Sequence, residues 1–317
     1  MNIVDLIKDN RQTAFTFEIV PPLKGAGLDH LCDTIELLRE FDPKYINITS
    51  HRSEQQMVPL GSGLFRASSL RRRPGTVAVA AALKARYHIP MVPHMLCGGF
   101  SREETEYALL DLQFLDISNL LVLRGDKARH DDVFRPAEEG HAHATELIEQ
   151  INRFNEGYFD DGSKIKHTGQ PFSYGVACYP EKHEEAPNAE SDFYWFKRKI
   201  ELGASYGVTQ LFFDNQKYFD FVAKARAAGI NVPIIPGIKP IRKMHHLSML
   251  PETFNCTLPE PLAEALRQCK SDTEAEEVGI AWAVQQCKEL IAAGVPSLHF
   301  YAINARHSIR AIAEQIY

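Results

Sequence analysis

Short apolar runs rich in β-branched and aromatic residues alternate along the chain with longer stretches whose apolar residues recur every three to four positions. The runs predict eight strands: Ala14–Ile19, Tyr45–Thr49, Met91–Leu96, Asn119–Leu123, Ser173–Cys178, Thr209–Phe213, Val232–Ile235 and Leu298–Ala302. The stretches between them predict amphipathic helices, with apolar faces at Leu28/Leu31/Ile35/Leu38, Ala108/Leu112/Leu115, Ala144/Leu147/Ile148/Ile151, Tyr218/Phe221/Val222/Ala225 and Ile280/Val284/Cys287/Ile291. Residues 1–10 add a short amphipathic helix ahead of the first strand. Ser101-x-x-Glu104 and Thr273-x-x-Glu276 have the spacing of capping boxes at helix starts. Gly203, Gly229 and Gly294 stand where helices end, the last two each followed by a short apolar run.

Strand–helix alternation without a linker-like break in composition predicts an α/β chain, a single-domain (β/α)8 TIM barrel over residues 1–317. An open doubly wound sheet is the alternative, and it would bind its ligand at a switch point. Two long connections, residues 50–75 and 127–140, follow strands, which in a barrel puts them on the face where active sites are built. Both read as lids or cofactor covers, or as solvated loops; the first ends in Arg71-Arg72-Arg73, a run of charge that by itself points to water. Residues 155–170 precede a strand and read as an excursion on the opposite face, without chemistry.

Composition narrows the class further. With 44% hydrophobic and 24% charged residues among 317, the chain reads as an ordinary soluble globular protein. Lys and Arg number 35 against 41 Asp and Glu, a net charge of −6, so no basic field exists to hold a nucleic-acid backbone. No run approaches the roughly 18 consecutive apolar residues of a membrane helix. The N-terminus lacks the apolar core of a signal peptide. Six scattered cysteines, with no CxxC pair, imply a reducing cytoplasm.

The polar residues that interrupt apolar strands carry the chemistry. In Phe15-Thr16-Phe17-Glu18-Ile19, alternation sends Thr16 and Glu18 to the face opposite Phe15, Phe17 and Ile19, so Glu18 points into the barrel. Desolvation there raises a carboxyl's pKa and makes it a general acid near neutral pH; the alternative is a barrel glutamate paired with a lysine or arginine. His94 lies in the apolar run Met91–Leu96, as a core histidine or a ligand contact. Metal-ligand spacing is absent around it and around His141, His143, His245 and His246, so no metal is expected. Arg124-Gly125-Asp126 ends an apolar strand, with a glycine that lets backbone approach a ligand. Tyr179-Pro180-Glu181-Lys182-His183 follows the fifth strand, and Gln210 sits inside an apolar run, in a core hydrogen-bond network or facing a polar heterocycle. No GxGxxG, P-loop or GxSxG motif occurs.

Taken in order, these strand ends resemble the methylenetetrahydrofolate reductase family. The resemblance rests on Phe17-Glu18 with Pro21-Pro22, Ile48-Thr49, Pro93-His94, Leu123-Arg124-Gly125-Asp126, Tyr179-Pro180-Glu181 with His183, Lys197-Arg198-Lys199, Thr209-Gln210 with Phe212-Phe213-Asp214, Ile235-Pro236-Gly237-Ile238 and His299-Phe300-Tyr301, spanning nearly the whole chain. It implies a flavin-containing barrel that reduces 5,10-methylenetetrahydrofolate to 5-methyltetrahydrofolate in two turns, with NADH or NADPH first reducing FAD and folate then accepting the hydride. Glu18 is implied as the general acid that opens the folate ring at N10. Asp126 is implied as a carboxylate near flavin and pterin, and Gln210 as a partner of the pterin and of the nicotinamide carboxamide. Thr49, His94, Arg124, Gly125, Asp126, Tyr179, His183, Ala186, Asp192, Arg198 and Lys199 match positions that hold FAD.

The chain departs from the family pattern at several of these places. Ser50-His51-Arg52 replaces Tyr-Gly after the second strand, His246 stands for a folate-contacting glutamine, and Leu250 for a stacking phenylalanine. Asn304-Ala305-Arg306 displaces an arginine by one place, which makes Arg306 the candidate for the folate tail. The resemblance further implies a cytoplasmic homo-oligomer and, the eight units using nearly all residues, no C-terminal regulatory domain. Two rival readings stand beside it: a flavin-free barrel lyase or aldolase using Glu18 and a lysine, disfavoured because no strand-end lysine is obvious, and a non-catalytic folate- or flavin-binding homologue.

Overall fold

In a computed structural model of the protein, the structure describes residues 1–8, 12–51, 54–70, 72–127, 131–166 and 169–317. The strands in chain order are β1 (Ala14–Ile19), β2 (Ile46–Ile48), β3 (Glu54–Gly61), β4 (Leu64–Leu70), β5 (Met91–Leu96), β6 (Asn119–Leu123), β7 (Ser173–Cys178), β8 (Tyr206–Thr209), β9 (Ile234–Ile235), β10 (Gly237–Ile238) and β11 (Ser297–Tyr301). The helices are α1 (Ile3–Lys8), α2 (Asp29–Leu38), α3 (Thr76–Tyr87), α4 (Arg102–Phe114), α5 (Ala144–Asn155), α6 (Ala189–Glu201), α7 (Asn215–Ala227), α8 (His246–Phe254), α9 (Glu260–Gln268), α10 (Asp272–Ala292) and α11 (Arg306–Ile316).

The sheet order is β10-β11-β1-β2-β5-β6-β7-β8-β9, with β3 and β4 in a separate two-stranded sheet. Leaving out the hairpin, the strands from β1 to β9 follow one another in chain order, β10 pairs with β11, and β11 lies beside β1, so that β9 and β10 stand at the two ends of the order. The pairings of β1 and β10 with β11, β5 with β6, and β8 with β7 and β9 are all parallel. That singly wound order is the (β/α)8 topology and excludes the doubly wound alternative, whose strand order reverses at a switch point. Among the described residues no helix is long and apolar enough to cross a membrane. All six cysteines are free and buried.

The chain divides into two compact units. The first holds residues 1–19, 32–47 and 174–317. Here Phe15 and Phe17 lie on one face of β1, with Phe300 5.3 Å from Phe15, while Thr16 and Glu18 take the other face as alternation predicts. A second apolar cluster gathers Leu211, Phe213, Ile241, Leu250, Leu262 and Leu266, packed among the helices that follow β10.

The expected strand Thr209–Phe213 is displaced: β8 ends at Thr209, and residues 210–213 leave the ladder. Side chains of α10 satisfy the freed carbonyls, Gln286 Nε2 donating to Phe212 at 2.9 Å and Trp282 Nε1 to Phe213 at 3.0 Å. The β-branched and aromatic signal there reflects burial, not strand pairing. The expected capping box at Thr273 is also wrong. Ser271 caps α10, its Oγ accepting from the Glu274 N–H at 3.2 Å while the Glu274 carboxylate accepts from Lys270 N–H at 2.8 Å. Glu276, the residue that suggested the box, instead binds Arg242 at 3.0 Å.

The second unit holds residues 20–31 and 48–173. Its β5 and β6 match the expected strands in full, and α4 has the expected capping box between Ser101 and Glu104. The connection 50–75, expected as an irregular loop, contains an antiparallel hairpin of β3 and β4. Gly61, Ser62 and Gly63 all take left-handed φ at its turn, and a bulge at Pro59 absorbs the proline. That proline had obscured the strand signal. Of the arginine run, Arg71 lies outside the described residues, and Arg73 is held by the Pro21 carbonyl rather than left to solvent.

Replacing Ser271 by alanine is expected to lower stability by about 1 kcal/mol in denaturant unfolding, while Thr273→Ala stays within about 0.5 kcal/mol. Equal effects would reject the cap assignment.

Candidate active site

Parallel pairing of β1 with β11 sets the geometry around Glu18. The register places Thr16 opposite His299 and Glu18 opposite Tyr301, and alternation keeps all four on the same side. Glu18 is 7% exposed and His299 fully buried, with His299 Nε2 3.9 Å from Glu18 Oε2. Tyr301 donates its hydroxyl to the Thr209 carbonyl at 2.5 Å; burial, reinforced by the Glu18 charge, holds its phenol well above the ordinary range. Lys239, directly after β10, lies within electrostatic reach of Glu18. Desolvation pulls its ammonium below the usual lysine range, Arg242 adds to this, and Glu18 opposes it. The sequence reading missed Lys239, although its place after Pro236-Gly237-Ile238 was the available signal.

Gln210 follows the end of β8. Its Oε1 accepts from Leu211 N–H at 2.9 Å, and its Nε2 has no acceptor among the described residues, so a donor remains for a ligand. The backbone beside it is fixed by Gly237, whose N–H donates to Thr209 Oγ1 at 2.9 Å. A Cβ at Gly237 would stand 2.4 Å from the Thr209 carbonyl and 2.5 Å from the Tyr301 hydroxyl, so only glycine fits there.

His246 opens α8 and is expected at the folate. Desolvation, then the charges of Lys239, His245, Arg242 and Lys243, push its imidazole down to about 4, leaving it neutral at neutral pH. Nδ1 accepts from the Arg242 backbone N–H at 3.2 Å, so the ring proton sits on Nε2 as a donor, the role a glutamine amide fills. Leu250 is fully buried in the cluster around Leu211 and Phe213, a packing position and not a ring-stacking one. Arg306 is the first residue of α11, with Nη1 3.4 Å from Asp33 Oδ2, and Ala305 ahead of it is buried.

The loop after β7 wraps around Lys182, whose Nζ donates to the carbonyls of His183 at 3.0 Å, Glu184 at 3.2 Å and Ala186 at 2.6 Å. Tyr179 meets the His183 ring edge-on at 4.8 Å, and Glu185 N–H donates to His183 Nδ1 at 3.1 Å. Asp192 accepts from His183 N–H at 3.2 Å; burial raises its carboxyl despite that bond and the nearby Lys199 charge. Lys199 turns its ammonium inward to the Ala177 carbonyl at 2.7 Å, and desolvation lowers its pKa. Arg198 is exposed and meets Glu201 at 3.4 Å.

In the second unit, Thr49 is buried and its Oγ1 has no hydrogen-bond partner among the described residues. His94 is buried on β5 opposite Leu121. Arg124 follows β6, its guanidinium 4.8 Å from the centre of the Phe134 ring, and Gly125 takes a left-handed φ of 84° that a side chain would strain. Asp126 is exposed at the end of this turn. Asn47 on β2, in the first unit, is a further residue the sequence did not signal: it is fully buried, with neither amide atom hydrogen-bonded among the described residues. No group of three or more His, Cys, Asp or Glu able to hold a metal occurs among the described residues.

Singly wound parallel strands joined by helices, with polar side chains on the strands and in the segments that follow them, define the (β/α)8 class of fold. A family model described as methylenetetrahydrofolate reductase matches residues 3–317, and the chain belongs to that family. It is 31% identical over 321 residues to methylenetetrahydrofolate reductase (NADH) 1 of Arabidopsis thaliana, covering 97% of this chain and 49% of that protein. With 5,10-methylenetetrahydrofolate reductase of Salmonella typhimurium the identity is 27% over 308 residues, covering 96% and 91%. Against the plant protein and its fission-yeast counterpart, of which it covers 46%, the chain spans about half the relative's length. A solved structure of an uncharacterized Clostridium thermocellum protein that binds two copies of 5-methyl-5,6,7,8-tetrahydrofolic acid has the same fold, with TM-score 0.58 at 13% identity over 98% of this chain and 97% of that one.

Two outcomes check this geometry. Gly237→Ala is expected to destabilise the protein by about 1–3 kcal/mol in denaturant unfolding, through overpacking against Thr209 and Tyr301. In NMR the His246 ring is expected to titrate at about 4. The unfolded chain takes up that proton near 6.5, so stability falls as pH drops from 7 towards 4. A His246 midpoint above 6 would contradict the assigned environment.

Proposed function

We propose that this chain reduces 5,10-methylenetetrahydrofolate to 5-methyltetrahydrofolate with electrons from NADH or NADPH, using non-covalent FAD, as a cytoplasmic homo-oligomer whose whole matched span is the catalytic domain. Family membership supports the reaction. The observation that carries the chemistry is Glu18, a carboxyl 7% exposed on the polar face of β1, with His299 Nε2 3.9 Å away and the Lys239 charge within electrostatic reach. Opening the folate five-membered ring requires a proton on N10, and a buried carboxylic acid is suited to supply it.

FAD, when bound, supplies the hydride transfer between the two substrates. The resemblance gives Thr49, His94, Arg124, Gly125, Asp126, Tyr179, His183, Ala186, Asp192, Arg198 and Lys199 as the residues that would hold it. The buried Thr49 hydroxyl, without a hydrogen-bond partner among the described residues, and the left-handed turn at Gly125 fit such a group. Asp192 offers a desolvated carboxyl for ribose hydroxyls, and Arg198 and Lys199 offer charge to a pyrophosphate, Lys199 after release from the Ala177 carbonyl. Gln210 Nε2 and His246 Nε2 would donate to the pterin, Asp126 would stabilise positive charge as the ring opens, and Arg306 would meet the glutamate tail. Glu18 gives its proton to N10 as the carbon–nitrogen bond breaks, leaving an iminium that accepts hydride at the methylene carbon.

Lys239 favours a second reading, carbonyl chemistry at a desolvated amine without flavin. Borohydride trapping of a carbonyl substrate on Lys239 would support it.

The first reading predicts a yellow protein that oxidises reduced nicotinamide; a colourless one that takes up no flavin rejects it. Glu18→Gln is expected to leave reduction of the flavin by nicotinamide intact while cutting methylenefolate reduction by at least about 100-fold. Retained folate turnover would remove Glu18 from the general-acid role.

A further inference from the structure

We propose that His299 is a positioning residue that holds the proton of Glu18 and sets the pH at which that acid is lost. The inference rests on the reductase reading above and concerns how its acid is kept protonated.

The hydrogen bonds around Thr16 favour one tautomer of His299. Thr16 has one hydroxyl hydrogen, which it donates to the Leu298 carbonyl at 3.0 Å. Ser297, 3.4 Å from Thr16 Oγ1, donates its own to the Ala14 carbonyl at 3.0 Å. With the Thr16 hydrogen on the Leu298 carbonyl and the Tyr45 hydroxyl also turned to Thr16, Oγ1 is left to accept at its 3.0 Å contact with His299 Nδ1, and the ring hydrogen is assigned to Nδ1. Nε2 is left with its lone pair, buried, with no hydrogen-bond partner among the described residues, and 3.9 Å from Glu18 Oε2. Tyr45 stacks on the ring at 6.1 Å and 18°, and Tyr301 meets it edge-on at 5.6 Å and 88°. The ring is held in register with the carboxyl and shielded from bulk water.

An imidazole lone pair aimed at a carboxyl favours the acid form, since the proton can rest on oxygen, on nitrogen, or between them, and the pair stays neutral overall. That matters because Lys239, in the segment after β10, is electrostatically coupled to the same carboxyl, and its positive charge favours the carboxylate. Among the described residues, the groups around Glu18 include Thr16 on its own strand, His299 and Tyr301 on β11, and Lys239 after β10. Of these, His299 is the one placed to oppose Lys239. In the folate step the Glu18 O–H bond breaks, the proton goes to N10, and the C–N bonding pair stays on that nitrogen. The resulting carboxylate regains its proton from solvent water, with the His299 lone pair again favouring the protonated state.

The test uses the flavin-loaded protein and its His299→Asn and Thr16→Val variants, with the two half-reactions followed separately against pH. In His299→Asn the alkaline limb of folate reduction is expected to move acidward by about one pH unit, a loss of about tenfold at pH above that limb that is recovered on acidification. Thr16→Val, which keeps the ring but removes the Nδ1 acceptor, is expected to move the limb the same way, because the freed tautomer presents Nε2–H and stabilises the carboxylate. Nitrogen NMR of the unmodified protein, read without turnover, is expected to show Nδ1 of His299 protonated.

A limb that stays in place in both variants, or a His299 protonated on Nε2 alone, overturns the proposal. If His299→Asn fails to hold flavin, Thr16→Val and the NMR tautomer decide it. Failure of the unmodified protein to take up flavin and oxidise reduced nicotinamide would sink the reductase reading instead, so the two failures are told apart.

Discussion

Parallel hydrogen bonding between β1 and β11 is the constraint on which the candidate site depends. A parallel register fixes Cα partners one for one, and strand alternation then assigns every side chain to one face or the other. A slip of one residue would send Glu18 outward among Phe15, Phe17 and Phe300 and bring aromatic rings in. The burial of those three rings on one face therefore holds the polar set on the opposite face, and apolar packing and acid placement are two results of a single pairing.

Within that frame the charges are few and poorly hydrated. Lys239, Lys199, Asp192 and His246 are each displaced from their usual range with burial as the largest cause, and none forms an ion pair within 4 Å among the described residues. Lys199 is held by a backbone carbonyl and His246 by a backbone N–H. Groups kept this way retain an unfilled capacity to bind, which is what a site for polar, charged ligands requires and a purely structural salt bridge lacks. The acidic net charge of −6 is thus compatible with local cationic spots at Lys239 and Lys199.

Much of this was legible in the chain itself. Four of the eight expected strands, those beginning at Ala14, Met91, Asn119 and Ser173, match the observed bounds, because each is a short apolar run with clear polar borders. Glu18, His94 and Gln210 stood out as polar interruptions of apolar runs. The misses have physical reasons. Residues 210–213 read as strand because burial and strand propensity share the same residues, and only the α10 side chains that take over their carbonyls reveal the difference. The β3–β4 hairpin was masked by Pro59 and by polar composition, and α8 and α9 by Pro251, Pro259 and short length. Lys239 and the His299 geometry were invisible for another reason: each gains its meaning from a partner far away in sequence.

That distance has a bearing on how the protein is made. Thr16 and His299 are 283 positions apart, whereas the strands of the β3–β4 hairpin meet across a turn of a few residues. The hairpin can form as soon as it is synthesised; β1 must wait for nearly the whole chain before its partner exists. Until β11 is translated, one edge of β1 is unpaired and Phe15 and Phe17 lack Phe300, a state open to chaperones and to wrong strand partners. The acid and its histidine are therefore among the last contacts completed, so a truncated or stalled chain carries Glu18 without the geometry proposed to keep it protonated.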